Sequence, residues 1–140
     1  MSTTKNFVQN NGDIPLMKSM FQTGSGRVVS DINIRDRTWN DGTALMYQSS
    51  YGTLACMEFL LANDPPADPN LKDKYGYTAL MWAVLDQDTD NGAKVTLLLE
   101  YGADPSIKDN DGFTVMEHAN SYDQINCIKA LESYSSKIPG

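Results

Sequence analysis

Histidine occurs once in this chain and cysteine twice, and neither scarcity is neutral. Two cysteines and one histidine do not supply the four ligands of a structural zinc site. No stretch approaches the run of about 20 apolar residues needed to cross a bilayer. The opening residues, MSTTKNFVQNNGD, lack the apolar core of a secretory signal, so the expected location is cytoplasmic, in the producing cell or in an infected or host cell. No G-x-S-x-G elbow, phosphate-cradling glycine loop or Cys/His pairing is present, and the acidic residues are spread along the chain. The expectation is therefore a non-enzyme without a cofactor. Basic residues are also few, 11 Lys and Arg against 18 Asp and Glu, for a net charge of −7. Residues 1–40 hold five basic and three acidic groups, and residues 41–140 hold six and fifteen. Such an acidic body repels nucleic acid phosphates. It suits a basic protein partner, or simply keeps the molecule soluble.

What the chain does have is self-similarity. Residues 75–83 read YGYTALMWA, 42–46 read GTALM and 111–119 read DGFTVMEHA. Thr43, Thr78 and Thr114 stand 35 and 36 residues apart. A second phrase precedes each: DINIRD at 31–36, DPNLKD at 68–73 and DPSIKD at 104–109. Apolar, helix-like runs follow, in MEFLLAND, KVTLLLEYGAD and CIKALESY. The threonines precede helix-like stretches, where a hydroxyl can cap free amides. Gly24 and Gly102 follow apolar, helix-like runs, where positive φ stops a helix. Ala83 and Ala119 allow close helix approach, and Leu97, Leu98 and Leu99 supply an apolar stripe. One such unit cannot bury its own apolar face, whereas stacked units can.

With this period and a T-A-L-M core, the sequence resembles the ankyrin repeat family over nearly its whole length. Small stand-alone bacterial or phage members are the analogy. The resemblance implies an all-α repeat solenoid of four stacked ankyrin repeats. Each is a helix-turn-helix pair joined to the next by a β-hairpin loop, and the terminal repeats are atypical. The single domain, 1–140, divides at about 1–35, 36–72, 73–108 and 109–140. In the first repeat, Ile14, Met17, Met20 and Phe21 take the apolar positions of the outer helix. The chain departs from the family at the proline after the threonine, replaced by Ala44, Ala79 and Val115. It departs again at the histidine, replaced by Met46, Met81 and Glu117, which removes a bond between neighbouring repeats and weakens their coupling. Insertions are expected at 25–29, at Pro65-Pro66, within 86–90 and in the first hairpin, 35–42.

The family's partner surface is built from hairpin tips and exposed inner-helix ends. Here the tips hold Arg37 and Trp39, then Lys74, Tyr75 and Tyr77, then Asn110, Asp111 and Phe113. The helix ends hold Ser50 and Tyr51, then Leu85 and Asp86, then Ser121 and Tyr122. The rings either form an exposed strip for a partner, since Trp, Tyr and Arg dominate interface hot spots, or pack on neighbouring hairpins. Trp82 is as much a core candidate as a surface one. The leading reading is a non-catalytic protein-binding module that acts as inhibitor, adaptor or assembly factor. Its partner is another protein. It binds no nucleic acid or membrane and is monomeric by itself. A second reading is acidic mimicry of nucleic acid, with Asp86, Asp88, Asp90, Asp109 and Asp111 as phosphate-like groups. A third is a weak cation-responsive loop at 86–92. The spacing of Asp86, Asp88 and Asp90 matches the start of a calcium loop, but Asn91 stands where the turn needs Gly and Leu97 where it needs a bidentate Glu. Cys56 and Cys127 share one outer-helix position two repeats apart, near 20 Å at about 10 Å per packed helix. They should be reduced and half-buried.

Overall fold

The structure, a computed structural model, describes residues 32, 33, 35, 37, 40–63, 66–85 and 92–137. Six helices and no strand lie among the described residues. They are α1 (Ala44–Tyr51), α2 (Leu54–Ala62), α3 (Ala79–Leu85), α4 (Gly92–Glu100), α5 (Val115–Ser121) and α6 (Ile125–Lys137). They form three antiparallel pairs, lying within 36–72, 73–108 and 109–140. The inner helices α1, α3 and α5 pack side by side, and the outer helices α2, α4 and α6 form a second row behind them. The expected first helix pair, with Ile14, Met17, Met20, Phe21, Gly24 and the insertion at 25–29, lies outside the described residues.

Each inner helix begins at its threonine. Thr43 Oγ1 accepts the Met46 N–H at 3.3 Å, and Thr114 Oγ1 accepts that of Glu117 at 3.3 Å. Thr78 Oγ1 accepts the Met81 N–H at 3.5 Å. A cap of this kind contributes about 1 kcal/mol. The position where the family has histidine closes the cap from the other side. Glu117 Oε1 accepts the Thr114 N–H at 3.1 Å, and Met46 Sδ accepts the Thr43 N–H at 3.5 Å. Met46 and Met81 are otherwise core residues.

The outer helices end as their sequence asks. Gly102 takes φ +95°, and the Ala103 N–H bonds back to the Leu98 carbonyl at 3.0 Å. After α2 the corresponding bond runs from the Ala67 N–H to Leu60, two residues further on, so the insertion at Pro65-Pro66 is real length. The link within the helix pair is two residues after α1, three after α5 and six after α3, which locates the third insertion. Gly92 opens α4, and Leu97 and Lys94 lie inside that helix.

Leu45, Met57, Leu60, Leu80, Met81 and Leu98 are fully buried between the rows. Each contributes about 1.5–3 kcal/mol by leaving water. Ala83 and Ala119 are fully buried, as the need for close approach requires. Cys56 and Cys127 are both unbridged, but they are wholly buried where partial burial was expected. The outer-helix register explains this: their position faces the inner helix, not the rim. The same register puts Lys94 in the third repeat, and the same inner-helix register as Ala83 puts Gln48 in the second. These two departures meet. Lys94 Nζ donates to the Ser49 carbonyl at 3.1 Å and to that of Gln48 at 3.4 Å, satisfying carbonyls at the end of α1.

Coupling between repeats does not rest on the missing histidine. Asn33 Oδ1 accepts the Asp68 N–H at 2.8 Å, and Asn70 Oδ1 accepts the Asp104 N–H at 2.7 Å. At the turns, the Asn40 carbonyl accepts the Lys74 N–H and the Tyr75 carbonyl accepts the Asn110 N–H, at 3.0 and 3.1 Å. Gly76 (φ +82°) sits against that second junction. A Cβ there would lie 2.6 Å from the Asn110 backbone nitrogen, whereas a Cβ at Gly112 (φ +86°) would meet nothing. Both substitutions by alanine incur left-handed strain of about 1–2 kcal/mol. Gly76→Ala should cost clearly more in urea unfolding than Gly112→Ala, because it also pushes two repeats apart. Equal losses would show that the junction yields freely.

Candidate functional site

Asp73 and Asp109 begin the same turn in successive repeats. Asp73 Oδ1 accepts the N–H groups of Tyr75 and Tyr77 at 2.9 and 3.0 Å. Asp109 Oδ1 accepts those of Asp111 and Phe113 at 2.9 and 3.0 Å. The second oxygen of each reaches the inner helix. Asp73 Oδ2 accepts the Trp82 Nε1–H at 2.9 Å, and Asp109 Oδ2 lies 2.7 Å from His118 Nε2. One carboxylate thus shapes the turn and fixes a ring on the helix behind it.

The fixed rings are joined by others. Tyr75 lies 5.7 Å from Tyr77, Tyr77 lies 5.5 Å edge-on to Trp82 and 5.8 Å edge-on to His118, and His118 lies 6.0 Å from Phe113. These are favourable edge-to-face and tilted spacings. The result is one row of rings across two repeats. Its members differ in exposure. Tyr77 is half-buried, while Tyr75 keeps 44% and Phe113 47% of its surface in solvent. Lys74 Nζ lies 5.2 Å from the centre of the Tyr75 ring. Carboxylates crowd the row. Burial first, then Asp109, Tyr122, Asp111 and Asp73, raise the Tyr77 hydroxyl pKa.

Among the residues expected at the partner surface, Arg37, Tyr51, Lys74, Tyr75, Asn110, Asp111, Phe113 and Tyr122 are exposed. Leu85 and Tyr77 are half-buried. Asn110 is also a strut, its side-chain amide donating to the Lys74 carbonyl at 2.9 Å. Tyr51 pairs with Tyr47 at 5.1 Å, apart from the described row. Ser50 is buried, not exposed as its helix-end position suggests, while Ser121 is exposed. Trp39, Asp86, Asp88 and Asp90 lie outside the described residues. Among the described residues, no group of three His, Cys, Asp or Glu could hold a metal. Asp109 is buried and committed to three internal partners, so it is not the surface phosphate mimic expected of it.

The sequence reading missed His118 as part of the row and left Trp82 undecided. The signal was available: Trp82 and His118 stand 36 residues apart, as Asp73 and Asp109 do. Glu117 and Asn120 also went unremarked as surface. With Phe113, His118, Ser121 and Tyr122 they line a cavity of ≈ 480 Å³.

The pKa values of the paired aspartates shift in opposite directions. Burial opposes the charge of Asp109, but the N–H of Phe113, the His118 side chain and the N–H of Asp111 outweigh it, and its pKa falls below 3.8. Burial dominates at Asp73 and raises its pKa despite similar bonds. Asp109 therefore adds stability that is present above pH 3.8 and lost as pH falls through its lower folded value. Asp73 favours folding only when protonated, an advantage full below 3.8 and lost as pH rises through its higher folded value. Near neutral pH, Asp109→Asn should cost about 1–3 kcal/mol and Asp73→Asn less. Urea titrations should show the Asp109→Asn deficit shrinking as pH falls below 3.8; a deficit independent of pH would contradict this assignment.

Comparison with known proteins agrees with the geometry. The family model for ankyrin repeats (3 copies) matches residues 5–109 and 66–138. Ankyrin repeat and SOCS box protein 6 is 38% identical over 89 residues in Pongo abelii and 37% in Homo sapiens, covering 61% of this chain and 21% of theirs. The putative ankyrin repeat protein FPV031 of Fowlpox virus is 34% identical over 109 residues, covering 77% of this chain and 31% of its own. The chain thus spans a third or less of these relatives. The crystal structure of the ankyrin repeat protein EF0377 superposes with a TM-score of 0.78 at 30% identity, covering 94% of this chain and 63% of that one. An ankyrin repeat domain from Acinetobacter baumannii AYE superposes equally well at 24% identity, covering 95% and 63%, and shares the fold. The caps, the repeated turns and the two rows of helices are those of an ankyrin stack, and the chain belongs to the ankyrin repeat family, whose repeats are in general protein–protein interaction modules.

Proposed function

We propose that this protein is a non-catalytic binder that grips a partner protein on the concave face made by its hairpin turns and inner helices. It acts by occupying that partner, as inhibitor, adaptor or assembly factor. The observation that carries this reading is the ring row. Its inner members, Tyr77, Trp82 and His118, are packed and hydrogen-bonded into a rigid base. Its outer members, Tyr75 and Phe113, stand nearly half exposed on that base. Rings already immobilised lose little entropy on binding, which favours them as anchors. Arg37, Asp111 and Tyr122 are exposed as well, and Tyr122 shares a cavity with Phe113. No described helix is long and apolar enough to cross a membrane. The two buried, unbridged thiols fit a reducing compartment such as the cytoplasm.

Affinity capture from the source cell, followed by mass spectrometry, tests the reading. Tyr75→Ala with Phe113→Ala should lower recovery of the specific partner at least about tenfold, as for loss of hot-spot rings, with an unchanged melting temperature. Leu54→Ala, an exposed apolar residue on α2, should leave recovery unchanged. Full recovery by the double variant would place the partner elsewhere.

A further inference from the structure

The cavity beside Phe113 has a composition that the rest of the row lacks. Phe113 and Tyr122 offer exposed rings, and Glu117 a carboxylate. Asn120 and Ser121 add side-chain oxygens that can accept hydrogen bonds. No lysine or arginine is among the lining residues. Tyr77, the counterpart of Phe113, has two ring neighbours, Trp82 and His118, and is half-buried. Phe113 has His118 beside it and remains nearly half exposed.

The charge in the cavity is preorganised. Glu117 Oε1 accepts both the N–H and the hydroxyl of Thr114, at 3.1 and 3.3 Å, so the capping box holds the carboxylate in place. The row also accommodates a cation one repeat earlier, where Lys74 lies over Tyr75. The residues corresponding to Lys74 and Tyr75 in the last repeat are Asn110 and Asp111, so neither that cation nor the ring beneath it is repeated. An acidic body further favours a positive visitor.

We infer that this cavity receives an arginine side chain from a basic segment of the partner protein. The flat guanidinium stacks on Phe113 and faces Glu117, an arrangement that combines cation–π attraction with a charge-assisted hydrogen bond. Its five N–H donors need several acceptors, and Glu117, Asn120, Ser121 and the Tyr122 hydroxyl supply them. Lysine, a compact point charge, would leave most of these acceptors unused. This inference rests on the concave-face reading and adds the charge and shape of what enters.

The test uses the full chain, labelled with nitrogen-15, and a capped Gly-Gly-Arg-Gly-Gly peptide as probe. Amide shifts should cluster at Phe113, Glu117, Asn120, Ser121 and Tyr122, with a Kd of about 1 mM, reasonable for one side chain. The same peptide with citrulline, neutral but of nearly equal shape, should bind at least about fivefold more weakly if charge matters. Glu117→Gln should weaken the arginine probe about three- to tenfold without changing the melting temperature, because glutamine also closes a capping box. Equal binding of the citrulline peptide, shifts clustered elsewhere, or no shifts at about 10 mM probe would overturn the inference. Partner capture separates the two readings. Loss on Tyr75→Ala with Phe113→Ala, but no change on Glu117→Gln, would retain the concave face and reject the arginine.

Discussion

The Asp73 and Asp109 carboxylates hold this surface together, because each bonds in two directions at once. One oxygen collects two backbone N–H groups and so closes the turn. The other reaches a ring nitrogen nine residues later, on the inner helix. Without the first oxygen the turn has orphan donors, and buried orphans cost about 1–3 kcal/mol each. Without the second, Trp82 and His118 lose the partner that orients them. Tyr77 packs edge-on against both rings. The position of every described ring in the row thus traces back to a buried carboxylate that has no contact with solvent chemistry of its own.

Stacking uses the same economy of means. Short polar side chains at the head of one repeat bond to the backbone of the next, as Asn33 does to Asp68 and Asn70 to Asp104. Each bond is modest, about 1 kcal/mol. Backbone-directed bonds nevertheless fix register, because they tolerate little sliding. The apolar contact between rows supplies most of the stabilisation and the polar ladder sets the spacing. A surface that spans repeats needs that spacing fixed, since Tyr77 and His118, from successive repeats, meet at 5.8 Å.

Much of this was legible beforehand. The threonine caps, the positive-φ stop at Gly102, the small residues at Ala83 and Ala119, and the extra length at Pro65-Pro66 and after Leu85 are local features, and local chemistry decides them. The membership of Tyr75, Tyr77 and Phe113 in one row followed from their repeat positions. The place of His118 was not legible, because a lone histidine carries no periodic signal until it is aligned with Trp82. The burial of Cys56, Cys127 and Ser50 was underestimated because helical periodicity gives a face, not the depth of cover that a neighbouring helix provides.

Tyr77 and Phe113 show where the boundary lies. Both precede a capping threonine, and both donate their N–H to an aspartate in the same turn. The sequence by itself determined this shared geometry, because hydrogen bonds within a few residues are set by local spacing. Only the tertiary structure decided that Tyr77 is half covered, with Trp82 and His118 against it, and that Phe113 borders an open cavity. Asp73 and Asp109 likewise make the same backbone bonds in their turns, yet one meets Trp82 and the other His118, burial weighs differently on each, and their pKa shifts are opposite. Exposure and desolvation depend on what the next repeat brings into contact, and that contact arises from residues about 36 positions away.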